Sequence, residues 1–145
     1  MFQRFPRKKG NKYNAKKTEV DGIKFHSKLE SNHYIQLRDA GIENIRQQNF
    51  ILQEGFRFNG RAIRPIGYRC DLYVKRNERI YVLDSKGMAD AQYKIKAKML
   101  LKHFNHEVIC IGSMKKMVVV ISMIKSGNST DEIIKAIETK KKVKK

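Results

Sequence analysis

A chain of 145 residues, 41% of them hydrophobic, is long enough for one domain with a real core. No apolar run approaches the length of a membrane-spanning helix, the longest being Met117–Ile124, and two cysteines, Cys70 and Cys110, make no disulfide framework. Those facts exclude a helical membrane protein and a disulfide scaffold, and with no signal peptide in view a reducing, cytoplasmic setting is expected.

The formal charge of +18 is the unusual quantity, and its distribution matters. Seven basic residues fall in the first seventeen, Lys16 and Lys17 among them, and five in the last six. Residues 18–139 carry 20 basic and 14 acidic residues, so the body is moderately basic and the ends hold the excess. This pattern fits a polyanionic partner followed along its backbone by basic arms. Solvated tails that aid solubility are the competing account.

In chain order, residues 1–17 form a basic arm in which Phe2, Phe5 and Tyr13 are spaced among cations. These rings either stack on bases or dock on the body. Thr18–Phe25 reads as a short hairpin turning at Asp21-Gly22. Ser27-Lys28-Leu29-Glu30 opens a helix that runs to about Ala40 and stops at Gly41. Ser27 at the N-cap with Glu30 at N3 is a capping box, which gives Glu30 a structural role beside any functional one. Leu29, His33 and Leu37 lie along one stripe of this helix. His26 and His33 read as surface or packing residues, because their spacing to His103 and His106 matches no zinc site.

Ile42–Leu52 is expected to be the first core strand, and Gly55–Pro65 a hairpin turning at Asn59-Gly60. Arg57, Arg61 and Arg64 make its edge either DNA-facing or simply solvated. Arg69–Gly87, RCDLYVKRNERIYVLDSKG, then reads as two short strands joined by a polar turn at Arg76-Asn77-Glu78. Asp71 falls in the first strand, and Asp84, Ser85 and Lys86 end the second, so two carboxylates and an ammonium converge. Phosphodiester hydrolysis needs such a group: carboxylates to hold a divalent cation, and a cation to assist the attacking water and the developing charge. An ion pair at a strand end is the bland alternative. Cys70, on the opposite strand face from Asp71, reads as core.

A second helix is expected from about Asp90 to Phe104, its apolar side made by Tyr93, Ala97, Leu100, Leu101 and Phe104. Its lysines, Lys94, Lys96, Lys98 and Lys102, are placed for phosphates or form a solvated face. Glu107–Ile111 is a short buried strand. Met114–Lys125 has helical spacing but a β-branched run at Val118–Ile121, and Gly127 tips the reading to helix. Ser129 or Thr130 caps a last helix, Asp131–Lys141, with acids at its start and lysines at its end.

The order helix with Glu30, strand with Asp71, strand with Asp84-x-Lys86, helix, strand resembles the PD-(D/E)XK nuclease superfamily, the fold of many restriction enzymes and of archaeal Holliday-junction resolvases. KYNAKKTEVDGIKFHSKLES, together with Asp71 and LDSKG, is similar more narrowly to a small phage-encoded family of unknown function in that superfamily. The similarity covers about residues 12–111. The proline that names the motif is absent, since Arg69-Cys70 precede Asp71.

The resemblance implies an α/β fold with a restriction-endonuclease-like mixed central sheet flanked by helices. The nuclease core is expected at 18–111, between a basic arm at 1–17 and, outside the resemblance, a C-terminal helical extension with a basic tail at 112–145. Asp71, Asp84 and the Ser85 carbonyl would bind Mg²⁺ or Mn²⁺, with Glu30 completing the shell directly or through water. Lys86 would orient or deprotonate the attacking water. Lys94 and Lys98, with Lys16 and Lys17 of the arm, would contact the nucleic acid. Ser85 is not read as a nucleophile, because no histidine is near it in sequence. The implied activity is endonucleolytic cleavage of DNA, branched DNA being the expected substrate, by a homodimer with no membrane and no small-molecule cofactor. A DNA-binding protein that keeps the fold without catalysis is the first rival, and an RNA-binding protein with basic tails the second.

Overall fold

The centre of the molecule is a four-stranded mixed sheet whose middle strands carry the hairpin read from sequence. A computed structural model describes residues 18–86 and 89–138. The basic arm with Lys16 and Lys17, Gly87 and the C-terminal lysines lie outside the described residues. Strand β8 (Leu72–Arg76) turns at Asn77-Glu78 into β9 (Arg79–Ser85), and the two pair antiparallel with Val74 opposite Tyr81. Both turn residues have positive φ, 50° and 65°, as a two-residue hairpin turn matched to strand twist requires. β9 then pairs in parallel with β10 (Val108–Ile111), through the helix α2 (Ala91–Phe104), and β8 pairs antiparallel with the two-residue β3 (Ile45–Arg46). The sheet order is β10-β9-β8-β3.

Four consecutive residues of β9, Tyr81–Asp84, are buried, because both faces of the sheet are covered. One face packs on α1 (Lys28–Asp39), α3 (Met114–Lys125) and α4 (Thr130–Glu138). Leu72, Val74, Tyr81, Leu83, Ile109 and Ile111 from the sheet form a single cluster there with Leu37, Met117, Val120, Ile124, Ile133 and Ile137. The helices of residues 112–138 are thus part of the same core as the sheet. The other face carries Val82 and packs with Cys70, Leu100 of α2, and the pair β4 (Asn49–Gln53) and β7 (Ile66–Arg69). The fold is therefore mixed α/β, with a mixed central sheet flanked by helices. No helix among the described residues is long and apolar enough to cross a membrane.

The local signals behave as their chemistry demands. β1 (Thr18–Val20) and β2 (Ile23–Phe25) turn at Asp21-Gly22, both with positive φ. β5 (Phe56–Phe58) and β6 (Arg61–Ile63) turn likewise at Asn59-Gly60. Ser113 caps α3, so Met114–Lys125 is a helix despite its β-branched run. Packing of Met117, Val120 and Ile124 at helical spacing outweighs a weak local preference.

Three expectations are corrected. Ile42–Leu52 is not one strand: Gln47 takes φ 53° and splits it into β3 and β4, leaving Ile45 exposed while Phe50 and Leu52 are buried. Asp71 is not inside a strand. It sits at the bend where the chain leaves β4's partner β7 to become β9's partner β8, and its N–H goes to the Asp84 carboxylate. Leu101 and Phe104 of α2 do not join the fully buried set, where Leu100 alone represents that helix.

Candidate active site

Side-chain alternation at the end of β9 sorts the chemistry. Asp84 faces the side of Val82 and α2, whereas Ser85 points the other way, to α1. Asp84 is 2% exposed, and both its oxygens are held. Tyr68 of β7 donates its hydroxyl to Oδ2, and the Asp71 N–H donates to Oδ1 at 2.9 Å. In return the Ser85 N–H donates to Asp71 Oδ2 at 2.8 Å. The bend at Asp71 and the end of β9 are thus cross-linked through each other's carboxylates.

Glu30 enters from the first turn of α1. Ser27 Oγ accepts the Glu30 N–H at 3.1 Å, so the capping box is half made. The Glu30 carboxylate takes a backbone bond from His26 and lies 3.9 Å from the Arg46 guanidinium. Glu30 is 4% exposed, and its Oε1 is buried with no hydrogen-bond partner.

These groups meet in one open cavity of about 700 Å³. Glu30, Asp71, Asp84, Ser85 and Lys86 all line it, with His26, Tyr68, Arg69, Gln92, Tyr93 and Lys96 around them. Lys86 holds its ammonium 4.7 Å from the centre of the Tyr93 ring, a cation–π contact at the cavity wall. Lys94 and Lys98 stand exposed on α2 away from the lining, and Lys96 takes the inward position.

Burial of so many carboxylates costs free energy, and the protonation equilibria record it. Desolvation, then the neighbouring charge of Asp71, pushes Glu30 up from its ordinary 4.5 to about 7. Desolvation and Asp71 raise Asp84 as well, and desolvation raises Asp71. Burial and the charge of Asp84 keep the Tyr68 hydroxyl protonated, as its donor role requires. Cys70 is pushed up to about 12, mainly by burial, which fits core and not nucleophile.

A divalent cation fits this set in part. Hard oxygen donors are what Mg²⁺ takes, the Glu30 Oε1 lacks a partner, and each Asp84 oxygen keeps a lone pair beyond the bond it accepts. Against that, no three His, Cys, Asp or Glu side chains among the described residues stand in a ready-made metal-binding group. A cation held by Glu30, Asp71 and Asp84 together would require these side chains to move.

In the metal-free protein, Glu30 binds a proton below about pH 7 when folded, and only below about 4.5 when unfolded. The fold therefore gains stability as pH falls from 8.5 to 6.5 and loses it as pH rises through 7, with Asp84 acting in the same direction. The gain expected is about 1 kcal/mol, or a few degrees in Tm. Burial lowers the pKa of His33, which offsets part of this gain as pH falls towards and through its ordinary 6.5. Thermal melts in a chelator at the two pH values check this, and a flat or reversed difference rejects it.

Sequence reasoning missed two groups. Tyr68 gave no local sign of its bond to Asp84, since the contact depends on β4–β7 pairing. His33 is fully buried and joins two segments: the Ser85 hydroxyl donates to Nδ1 at 2.6 Å, and Nε2–H donates to the Ser113 carbonyl at 3.2 Å. Because the carbonyl can only accept, this fixes the neutral ring's tautomer. A histidine does stand near Ser85 in space, contrary to what spacing implied. It clasps the strand end to α1 and to the start of α3.

The chain belongs to the family described as a protein of unknown function, DUF1064, whose family model matches residues 10–118. No curated protein and no solved structure matches it.

Proposed function

We propose that the protein is a divalent-cation-dependent endonuclease of the PD-(D/E)XK type that hydrolyses DNA phosphodiesters. One observation carries this reading: Glu30, Asp71, Asp84 and Lys86, distant in sequence, line a single cavity on a strongly basic chain. Asp71, Asp84 and the Ser85 carbonyl would hold Mg²⁺ or Mn²⁺, with Glu30 closing the shell. The cation would supply charge neutralisation at the scissile phosphate and a water of lowered pKa. The chain's own groups do the rest. Tyr68 and the Asp71 N–H fix the Asp84 carboxylate. Lys86, steadied by the Tyr93 ring, orients the attacking water and meets the charge that develops on phosphate oxygens. Arg69 and Lys96 at the cavity wall bind flanking phosphates.

Its proposed substrate is branched DNA arising in phage recombination or replication, cut by a homodimer in the bacterial cytoplasm; the resemblance is what supports this choice. A second reading, a DNA-binding protein without catalysis, is favoured by one observation: both Asp84 oxygens already have protein partners. Incubation with four-way junction, flap, duplex and single-stranded DNA, with and without Mg²⁺, separates the two. Mg²⁺-dependent nicking, strongest on branched DNA, is expected. Salt-sensitive binding with no product on any substrate would establish the second reading in its place.

A further inference from the structure

The β5–β6 hairpin stands apart from every sheet of the core. It forms its own two-stranded sheet, and no other described strand pairs with it. It is the outer half of a longer ribbon whose inner half is β4–β7. The inner half packs Phe50, Leu52 and Tyr68 into the core, with a register irregularity between Ile51 and Gln53. The two halves meet at Gly55, where an added Cβ would lie 3.1 Å from the Ile63 carbonyl and 3.1 Å from the Pro65 ring. From that neck, strands of three residues project roughly 10 Å.

The ribbon's surface is not that of an ordinary solvated loop. Phe56 is 50% exposed and Phe58 55% exposed. Phe56 pairs with Ile63 and Phe58 with Arg61, so all four side chains share one face. Arg57 lies on the opposite face, paired with Ala62, and Arg64 follows β6. Residues 55–65 contain three arginines and no acid. A two-stranded ribbon has no interior in which to bury two aromatic rings, so they stay in water unless a partner covers them. The arginines select that partner by sign: a polyanion whose own surface offers flat apolar faces.

We propose that the β5–β6 ribbon is a nucleic-acid-binding element that stacks Phe56 and Phe58 on unpaired bases while Arg57, Arg61 and Arg64 take the adjoining phosphates. Base–aromatic stacking tolerates any sequence but needs bases freed from the duplex. The ribbon therefore directs the protein to single-stranded or branched nucleic acid over uniform duplex. This deepens the functional reading above by taking the same partner, but it requires no cleavage.

The test uses the full chain in a chelator, so that binding is read without turnover. A flapped oligonucleotide carrying 2-aminopurine at the first unpaired position is titrated with wild type and with Phe56→Ala/Phe58→Ala. Both rings are exposed, so the variant should melt as the wild type does. Wild type should alter the 2-aminopurine emission, and the variant should bind the flap at least tenfold more weakly while duplex affinity changes less than threefold. An Arg57→Gln/Arg61→Gln/Arg64→Gln variant provides the second arm and should lower the salt dependence of binding. Equal affinity of wild type and ring variant for the flap overturns the proposal. So does a ring variant that passes from dimer to monomer in sedimentation with unchanged affinity per protomer, because the face would then meet a second copy of the chain. If wild type cleaves nothing but the ring variant still loses flap binding, the nuclease reading fails and the ribbon's role stands.

Discussion

Asp84→Asn is expected to lower Mg²⁺-dependent DNA cleavage by about a thousandfold, the scale on which removal of a charge-stabilising group acts, while DNA binding persists or tightens. The reasons lie in its two bonds. Oδ1 accepts from the Asp71 N–H and Oδ2 from the Tyr68 hydroxyl, so Asp84 is surrounded by donors. An amide keeps one accepting oxygen for the Asp71 N–H, and its nitrogen can donate to the Tyr68 hydroxyl, which accepts as well as donates. The substitution therefore removes a cation-binding charge while the bend at Asp71 keeps its hydrogen bond. It also removes a negative charge from a cluster of three carboxylates, two of them buried, which lets a phosphate approach with less repulsion. With both hydrogen bonds replaceable and a buried charge removed, the variant should stay folded. Cleavage of labelled branched DNA, with anisotropy titration in Ca²⁺, measures both halves. Cleavage at the wild-type rate would remove Asp84 from the site.

Ending the chain at Gly112 should abolish cooperative folding. Met117, Val120, Ile124, Ile133 and Ile137 are each at most 6% exposed and belong to the cluster that covers Leu72, Val74, Tyr81 and Leu83. Burial of five such side chains contributes roughly 10 kcal/mol, comparable to the whole stability of a domain this size. The cut also removes the carbonyl that receives His33 Nε2 and the Asn128 carbonyl that accepts the Tyr81 hydroxyl at 2.7 Å. A cut at residue 118, where the family match ends, falls inside α3 and should fail in the same way. Circular dichroism melts and dye binding check this. A sharp transition in the chain ended at Gly112 would show that the helices are dispensable.

What could be read from the residues was whatever chemistry is local. Asp21-Gly22 and Asn59-Gly60 announce turns because few residue pairs tolerate two positive φ values in succession. Ser27 and Asp90 announce helix starts because a short oxygen-bearing side chain can meet a free N–H. The acids and Lys86 of the cavity could be named because their order along the chain follows a known pattern. Gln47 at φ 53° carries no such signal, and so the break between β3 and β4 was hidden. The bond from Tyr68 to Asp84, the inward turn of Lys96 and the clasp of His33 on Ser85 arise only when separate elements are packed. No spacing rule encodes them.

The ladder between β4 and β7 sets a limit on how this protein can be re-engineered. Tyr68 stands opposite Phe50, and only in that register does its hydroxyl reach Asp84. A slip of one residue would turn the ring to the other side of the strand. Whatever a graft between Gln53 and Ile66 does to the ribbon, it must return the chain to β7 in phase, or the carboxylate loses its tether.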